Sequence, residues 1–315
     1  MNIVKNRKIF YIISTVLLVI SIFSILFFGL KPSIDFTGGT LIGVSYVEEV
    51  PEIGKVRQFI TSQNLGDVSV RPSLNGFIIR TKELDQQTKD GIILGLSFNG
   101  TYEVFEENSS SVGPVLGKES LIKSWTSIVL VLFAILIFIA FAFRKVSGSA
   151  LTKSSEVKLS SFDYGIATVL ALFHDVLIPM GVFAILGHFL GIEVDTLFVT
   201  ALLVILGFSV HDTIVVFDRV RENLENNDKF KEGKDFEEIV GNSISQTLVR
   251  SINTSVTTLL AIVVLYFFGP ETIKNFSLAL IIGITAGTYS SIFFGSPLLV
   301  TMNKRKLESA KLKSS

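Results

Sequence analysis

Residues 9–30 read IFYIISTVLLVISIFSILFFGL, an uncharged apolar stretch that decides the fold. A helix needs about 20 apolar residues to cross the hydrocarbon core of a bilayer. Five further stretches of similar character follow, which predicts a polytopic α-helical membrane protein with six transmembrane helices. The predicted spans are 9–30, 124–143, 165–190, 195–218, 250–268 and 275–301.

The composition supports a membrane protein and excludes several classes. Hydrophobic residues make up 49% of the 315 residues, charged residues only 18%, and the net charge is zero. A zero net charge without a basic stripe argues against nucleic-acid binding. Because the chain has no cysteine, disulfides, zinc–cysteine sites, thiol catalysis and lipoprotein anchoring are excluded.

The first apolar stretch is interpreted as a retained helix. It is longer than the roughly 7–15 residues of a signal-peptide core, and no small-residue cleavage site follows it.

Basic residues cluster beside four predicted span ends, at Lys5–Lys8, Arg144–Lys145, Arg219–Arg221 and Lys304–Lys306. Because short cytoplasmic loops are enriched in Lys and Arg, we expect all four clusters, and both termini, in the cytoplasm. The loop 146–161 is expected to be mobile, Asp235–Val249 to form an interfacial helix, and the tail to be disordered. The predicted cytoplasmic segments are 1–8, 144–164, 219–249 and 302–315.

Residues 31–123 then form one extracytoplasmic domain. Strand and helix patterns alternate in the order β-α-β-β-α-β, which predicts an α+β ferredoxin-like domain. The predicted strands are Thr40–Val47, Asp67–Arg71, Gly76–Thr81 and Tyr102–Phe105, and the predicted helices are Glu52–Gln63 and Leu84–Leu96.

Ionisable residues inside spans are costly, about 2.5–3.5 kcal/mol each near a helix centre, and need a reason. Asp212 and Arg250 lie about 26 and 27 Å inward from the outer ends of neighbouring antiparallel helices. At matched depth they can form an ion pair. The pair predicts either a proton or sodium relay, in which ion binding to Asp212 releases Arg250, or a purely structural link.

Asp175 lies nearer mid-membrane, four residues before Pro179, and supports either relay or helix packing. The dipeptides His174-Asp175 and His211-Asp212 resemble each other. Packing is favoured over proton shuttling for both histidines. A metal site is disfavoured because the further ligands it needs are missing.

Two glycine-containing stretches connect the domain to the spans. Gly113–Ser120 lacks the spacing and the final Ser or Thr of a phosphate-binding loop, and is interpreted as a hinge. Asp35-Phe-Thr-Gly-Gly-Thr40 is interpreted as a tight turn that uses the backbone freedom of Gly38 and Gly39, in preference to a substrate contact.

Taken together, these motifs resemble the SecD/SecF family of protein-export membrane proteins, related to the resistance-nodulation-division (RND) transporters. The segments that carry the resemblance are Asp35–Thr40, Val112–Gly117, Ala171–Val176, Gly207–Asn223 and Gln246–Ser255.

The resemblance implies an RND-like half that pairs with SecD in the bacterial inner membrane. Such a complex is expected to use a proton or sodium gradient to assist preprotein translocation through SecYEG. It implies Asp212 and Arg250 as coupling residues, with Thr213 in the same motif, and it implies no enzymatic activity, cofactor, metal or nucleotide. A small-molecule efflux subunit is the alternative, disfavoured because the chain has one modest outer loop. A membrane hydrolase is disfavoured because no hydrolase motif occurs in a span.

Overall fold

The computed structural model describes residues 3–66, 68–73, 75–144, 159–231 and 233–314. The predicted mobile loop 146–161 and the predicted strand residue Asp67 fall largely or wholly outside these ranges. The described residues divide into two compact units. We call 1–31, 127–192 and 197–315 the helical unit, and 32–126 with 193–196 the sheet unit.

As predicted, the described residues contain six helices that are long and apolar enough to cross a membrane, and the chain is a multi-pass membrane protein. In chain order the elements are α1 (Arg7–Phe28), α2 (Ile34–Thr37), β1 (Gly39–Tyr46), α3 (Ile53–Ser62), β2 (Ser69–Ser73), β3 (Gly76–Thr81), α4 (Gln86–Gly95), β4 (Val104–Val112), α5 (Pro114–Ala142), α6 (Ser161–Leu190), α7 (Thr196–Phe230), α8 (Phe236–Phe268), a 3₁₀ turn (Glu271–Ile273), α9 (Lys274–Ser290), a π-helical turn (Ser291–Gly295) and α10 (Ser296–Ser314).

The prediction of a separate interfacial helix at Asp235–Val249 is wrong. Helix α8 is continuous from Phe236 to Phe268, so the amphipathic segment and the fifth span are one helix. No proline interrupts this sequence, and Asp235 caps the helix by accepting from the backbone N–H of Glu238 at 2.7 Å. One cap at the start and no break within it favour one long helix.

The prediction of a disordered tail is also wrong. Helix α10 continues the sixth span to Ser314. Two lysines of this segment have acidic partners: Lys304 pairs with Glu237 of α8, and Lys306 Nζ lies 2.5 Å from Asp163 Oδ2 of α6. These ion pairs hold a sequence rich in helix-forming residues against its neighbours.

Helix α1 runs parallel to α6 with a regular register. Ser21 packs where Gly181 leaves room for it, and the Phe28 and His188 rings stack with centroids 4.5 Å apart. These two contacts are seven residues apart on both helices. Since seven residues make nearly two helical turns, the same faces meet at each step.

The sheet unit has the predicted element order. Its four strands pair antiparallel in the spatial order β2-β3-β1-β4. Helices α3 and α4 bury Val56, Ile60 and Ile92 against strand residues such as Ile42 and Ile79. Strand β4 extends well beyond the predicted Phe105, because its polar residues pair with β1 through the backbone.

Helix α5 begins at Pro114, so most of Gly113–Ser120, which the sequence predicts to be a hinge, is helical. Proline is favoured in the first turn of a helix, where its missing N–H would have had no partner.

Candidate functional site

Asp175 lies at the middle of α6 and is completely buried. Its Oδ2 accepts hydrogen bonds from Ser209 Oγ of α7 at 2.5 Å and from Ser290 Oγ of α9 at 2.8 Å. Its Oδ1 lies 2.9 Å from Nδ1 of His174. Both carboxylate oxygens therefore have close polar partners, which offset the cost of burying this acid.

The π-helical turn at 291–295 places two successive serines in this region. Ser290 donates to Asp175, whereas Ser291 Oγ lies 2.9 Å from Thr213 Oγ1 of α7. Short π segments inside α-helices are frequent at functional sites. Here the π-helical turn begins directly after Ser290, which together with Asp175 and Ser209 joins α9, α6 and α7.

Asp212 is also buried, with 2% of its surface exposed, yet its contacts are longer. Ser255 Oγ of α8 lies 3.4 Å from Oδ2, and His211 Nδ1 lies 3.8 Å from Oδ1. Ser255 in turn accepts from Thr288 Oγ1 of α9 at 2.6 Å. Hydrogen bonds weaken at such lengths, so Asp212 is enclosed with far less compensation than Asp175.

The predicted ion pair between Asp212 and Arg250 is absent. Arg250 is exposed, and its guanidinium is not within the 4.0 Å of Asp212 that defines a salt bridge. On α8 it is Ser251 and Ser255, one turn apart, that face inward. Residue 250 points about 100° away from residue 251. The prediction rests on matched depth of the two residues in the membrane. Depth alone does not determine in which direction around the helix axis a side chain points.

The three residues predicted to support the site have different surroundings. His174 is fully buried and its ring stacks on Phe294, with centroids 5.5 Å apart. Thr213 is fully buried and meets Ser291. The His211 side chain is 68% exposed. The structure therefore brings His174 and Thr213 into the buried polar network and leaves the ring of His211 mostly outside it.

Asp35 caps α7 within the sheet unit. Its Oδ2 accepts from the backbone N–H of Thr196 at 3.0 Å and from Thr196 Oγ1 at 2.8 Å. Thr196 is the first residue of α7, where backbone N–H groups lack helical partners and a negative charge is favoured. The acidic residue of the motif thus caps the first residue of α7.

Gly38 and Gly39 have positive φ angles of 76° and 130°. A Cβ on Gly38 would lie 2.7 Å from Pro114 Cα, and a Cβ on Gly117 would lie 2.7 Å from Gly38 N. The two glycine-containing junctions therefore cross backbone against backbone, which requires glycine on both sides.

Glu193 makes a second link in the same place. It is 7% exposed and pairs with Arg71 and with Arg80, whose Nη1 lies 3.0 Å from Oε1. Nearby, the Ser33 N–H donates to the Val194 carbonyl at 2.8 Å. These contacts and the cap on α7 all lie within the sheet unit.

Two family models match the chain. The SecD/SecF GG motif matches residues 23–50, and the C-terminal model of the protein export membrane proteins SecD/SecF matches 160–305. The protein translocase subunit SecF of Thermobaculum terrenum is 41% identical over 96% of this chain and 94% of its own length. The chain belongs to the SecF family of protein translocase subunits. The SecF of Anaerolinea thermophila is 34% identical over 95% of this chain and 93% of its own.

Solved structures of SecDF agree with this SecF assignment. The chain matches SecDF from Thermus thermophilus, a translocon-associated membrane protein, with 29% identity and a TM-score of 0.80 over 97% of this chain. A SecDF structure in a super-membrane-facing form matches with a TM-score of 0.63. The chain spans 39% of each of these longer structures.

The hydroxyl groups around both carboxylates are not predicted from the sequence, and all of them lie within the segment matched by the SecD/SecF C-terminal model. The available signal was the polar run Thr288–Ser291 in an otherwise apolar span. Small hydroxyl residues often join helices in membranes. The missed residues are Ser209, Ser255, Thr288, Ser290 and Ser291.

Proposed function

We propose that this chain works with SecD in a complex that uses the transmembrane gradient of protons or sodium ions to assist preprotein translocation through SecYEG. The complex lies in the bacterial cell membrane, and both termini of the chain are cytoplasmic. The chain contributes ion coupling and movement and catalyses no covalent reaction.

The sheet unit is, in this proposal, an extracytoplasmic ferredoxin-like domain. Its β-α-β-β-α-β order and its antiparallel β2-β3-β1-β4 arrangement support that class. Its assignment to the outer side rests on the basic clusters beside the spans. Because cytoplasmic loops are enriched in Lys and Arg, the loops with these clusters are placed in the cytoplasm and the sheet unit on the opposite side of the membrane.

The observation that carries the proposal is the poorly compensated burial of Asp212. A buried carboxylate with two long contacts is costly to keep charged, and binding a proton or a cation relieves that cost. Moving one charge through 100 mV releases about 2.3 kcal/mol. That energy can shift a two-state equilibrium by more than about tenfold.

Arg250 fits this scheme without a pair to Asp212. It lies exposed on α8, one turn and a fraction before Ser255, which contacts Asp212. A rotation of α8 by about 100° would turn it inward. Alternatively, an acidic residue of SecD can meet it, because in the apolar 18-residue stretch of α8 only 17% of the residues are buried within this chain.

The test measures export of a secretory preprotein into vesicles that contain the chain with SecD and SecYEG, energised by ATP with or without an ion gradient. Asp212→Asn and Arg250→Met should each abolish the increase that the gradient produces and leave the ATP-driven part intact. The matched control is Asp218→Asn, an exposed acid on the same helix that pairs with Arg221. An equal gradient response in wild type and Asp212→Asn would exclude ion coupling through this residue.

A further inference from the structure

His174 and Ser14 each carry a buried polar atom without a partner. Nε2 of His174 and Oγ of Ser14 are inaccessible to solvent, and neither makes a hydrogen bond. Both residues are 0% exposed. Leaving a buried polar group unsatisfied is costly, so two of them call for an explanation.

The register of α1 against α6 places the two residues at one level. Ser21 meets Gly181, and Phe28 meets His188 seven residues further along both helices. Seven residues back from the Ser21 contact are Ser14 on α1 and residue 174 on α6. Because seven residues return each helix to nearly the same face, Ser14 faces the position that His174 occupies.

The contacts of the His174 ring leave one of its nitrogen atoms without a hydrogen-bond partner in the protein. Tyr289 and Phe294 stack on the ring, with centroids 6.2 and 5.5 Å away. Nδ1 is taken by Asp175 Oδ1 at 2.9 Å. Nε2, on the far side of the ring from Nδ1, is the remaining hydrogen-bonding atom.

We infer that Ser14 Oγ and His174 Nε2 hold one internal water molecule between α1 and α6. A buried water makes about two to four hydrogen bonds to polar groups, and these two side-chain atoms supply the lower number. The water completes a hydrogen-bonded chain from α1 through His174 to Asp175.

This inference deepens the proposed function and rests on it, because the chain of contacts gives a proton a route to the buried carboxylate of Asp175. A proton arriving at the water binds Nε2 while the Nδ1 proton passes to the Asp175 carboxylate. The imidazole remains neutral with its proton now on Nε2, and reverse transfer resets it. A sodium ion prefers oxygen ligands and cannot use this route through a ring nitrogen.

Few other titratable groups face His174. Asp175 is its neighbour on α6, and Tyr289 stacks on it from α9. Tyr11 of α1 packs edge-on against Phe294, and its hydroxyl meets Thr301 Oγ1 at 2.9 Å. Among the described residues, Asp175 is the ionisable group in hydrogen-bonding contact with the ring.

A spectroscopic test uses the fact that the chain has three histidines. In bilayers, the ¹⁵N signal of His174 Nε2, assigned with His174→Gln, should show a contact with water protons. Ser14→Ala should remove that contact and shift the signal. Ser24→Ala is the matched control, since Ser24 is equally buried on α1 but donates to its own helix at Ile20 O, 2.7 Å away. A wild-type Nε2 without water contact would overturn the inference.

A stability measurement gives an independent readout by its sign. If Ser14 holds water, Ser14→Ala should lower the unfolding temperature relative to Ser24→Ala. If Ser14 Oγ is simply unsatisfied, its removal should raise that temperature, which would contradict the inference.

The functional arm uses the same export vesicles. A proton gradient without sodium should stimulate export by the wild type and by Ser24→Ala. Ser14→Ala and His174→Gln should reduce that stimulation by about tenfold or more, as expected for loss of a proton-transfer group. Stimulation of the wild type by a sodium gradient alone would overturn the inference. If neither gradient acts on the wild type, the proposed function fails, whereas the water contact at Nε2 still decides whether the site exists.

Discussion

Asp175 and Asp212 lie on neighbouring helices of the same unit, and hydroxyl groups distinguish them. Asp175 accepts two short hydrogen bonds and contacts a histidine, whereas Asp212 has one hydroxyl at 3.4 Å. Such differences separate a buried carboxylate whose charge is well compensated from one whose charge is poorly compensated. Both residues are aspartates, so the hydrogen bonds to each carboxylate, and not the residue type, distinguish the two sites.

Ser290→Ala should destabilise the helical unit. It removes one of two hydroxyl donors to a buried carboxylate, a loss of about 1.5–3 kcal/mol for a bond to a charged group. Thermal unfolding in detergent measures the effect. The control is Ser245→Ala, an exposed serine that donates to its own helix at Gly241 O, 3.0 Å away. Equal unfolding temperatures for the two variants would contradict the role given to Ser290.

At the scale of elements, the crossing of two chain junctions depends on glycine. Gly38→Ala should destabilise the sheet unit by more than the roughly 1–2 kcal/mol that positive φ costs an ordinary residue, because its Cβ would also meet Pro114. Gly100→Ala separates the two causes. Gly100 has φ 81° with open space around it. Resistance of the sheet unit to proteolysis in the full chain should fall markedly for Gly38→Ala and only slightly for Gly100→Ala.

Helix α4 should lose stability in acid. Hydrogen bonds from the side chain and then the backbone of Thr88 lower the pKa of its capping residue, Asp85. A carboxylate with a lowered folded pKa stabilises the fold above its unfolded pKa of about 3.9, and that contribution disappears as pH falls through the folded pKa. Hydrogen-exchange protection of α4 should therefore fall below about pH 4. Protection that is independent of pH would contradict this.

Helix α3 and an Asp85→Asn variant serve as controls for that measurement. Helix α3 has no side-chain cap, so its protection should change less over the same range. Asparagine also caps helices but does not titrate there, so the variant should remove the pH dependence of α4.

The sequence predicts the presence of elements better than their orientation and continuity. The lengths of the apolar stretches identify the six spans, and the spacing of apolar residues identifies the β-α-β-β-α-β order. Both signals arise because each element buries its own apolar residues, which can be read from the local sequence. The direction of Arg250 depends on which face of α8 packs inward, which residue spacing alone leaves open. The helical tail depends on ion pairs between distant segments. The π-helical turn depends on the packing of three helices.

At the scale of the whole molecule, several spans are largely uncovered. In the apolar 18-residue stretch of each helix, only 17% of the residues of α1 and 11% of those of α5 are buried within this chain, compared with 61% of those of α6. Lipid or a partner must cover the exposed apolar side chains. A core of α6, α7 and the sixth span is thus flanked by helices that face outward.

The single tryptophan, Trp125, offers a test of how α5 lies in a bilayer. It is half exposed and stands at the start of the predicted second span, a position typical of aromatic residues at the membrane interface. Lipids brominated near the headgroup should quench its fluorescence more than lipids brominated near the chain end.

The control for that measurement moves the tryptophan along the helix. In Trp125→Phe with Phe133→Trp, the fluorophore lies eight residues further on, about 12 Å deeper, and quenching should favour bromine near the chain end. Phe133 is 60% exposed, so the substitution faces outward as well. The same quenching profile for both proteins would show that α5 does not cross the bilayer in the way that its sequence predicts.

A π-helical turn accommodates one residue more than the α-helical turn it replaces. Removing one residue within 291–295 would therefore convert the π-helical turn into regular α-helix without rotating α10 about its axis. Lys304 and Lys306 would still meet Glu237 and Asp163. At a regular position of α9, the same deletion would rotate everything beyond it by about 100°. Single-residue length variation in the sixth span is thus tolerated at the π turn and disruptive one or two turns earlier.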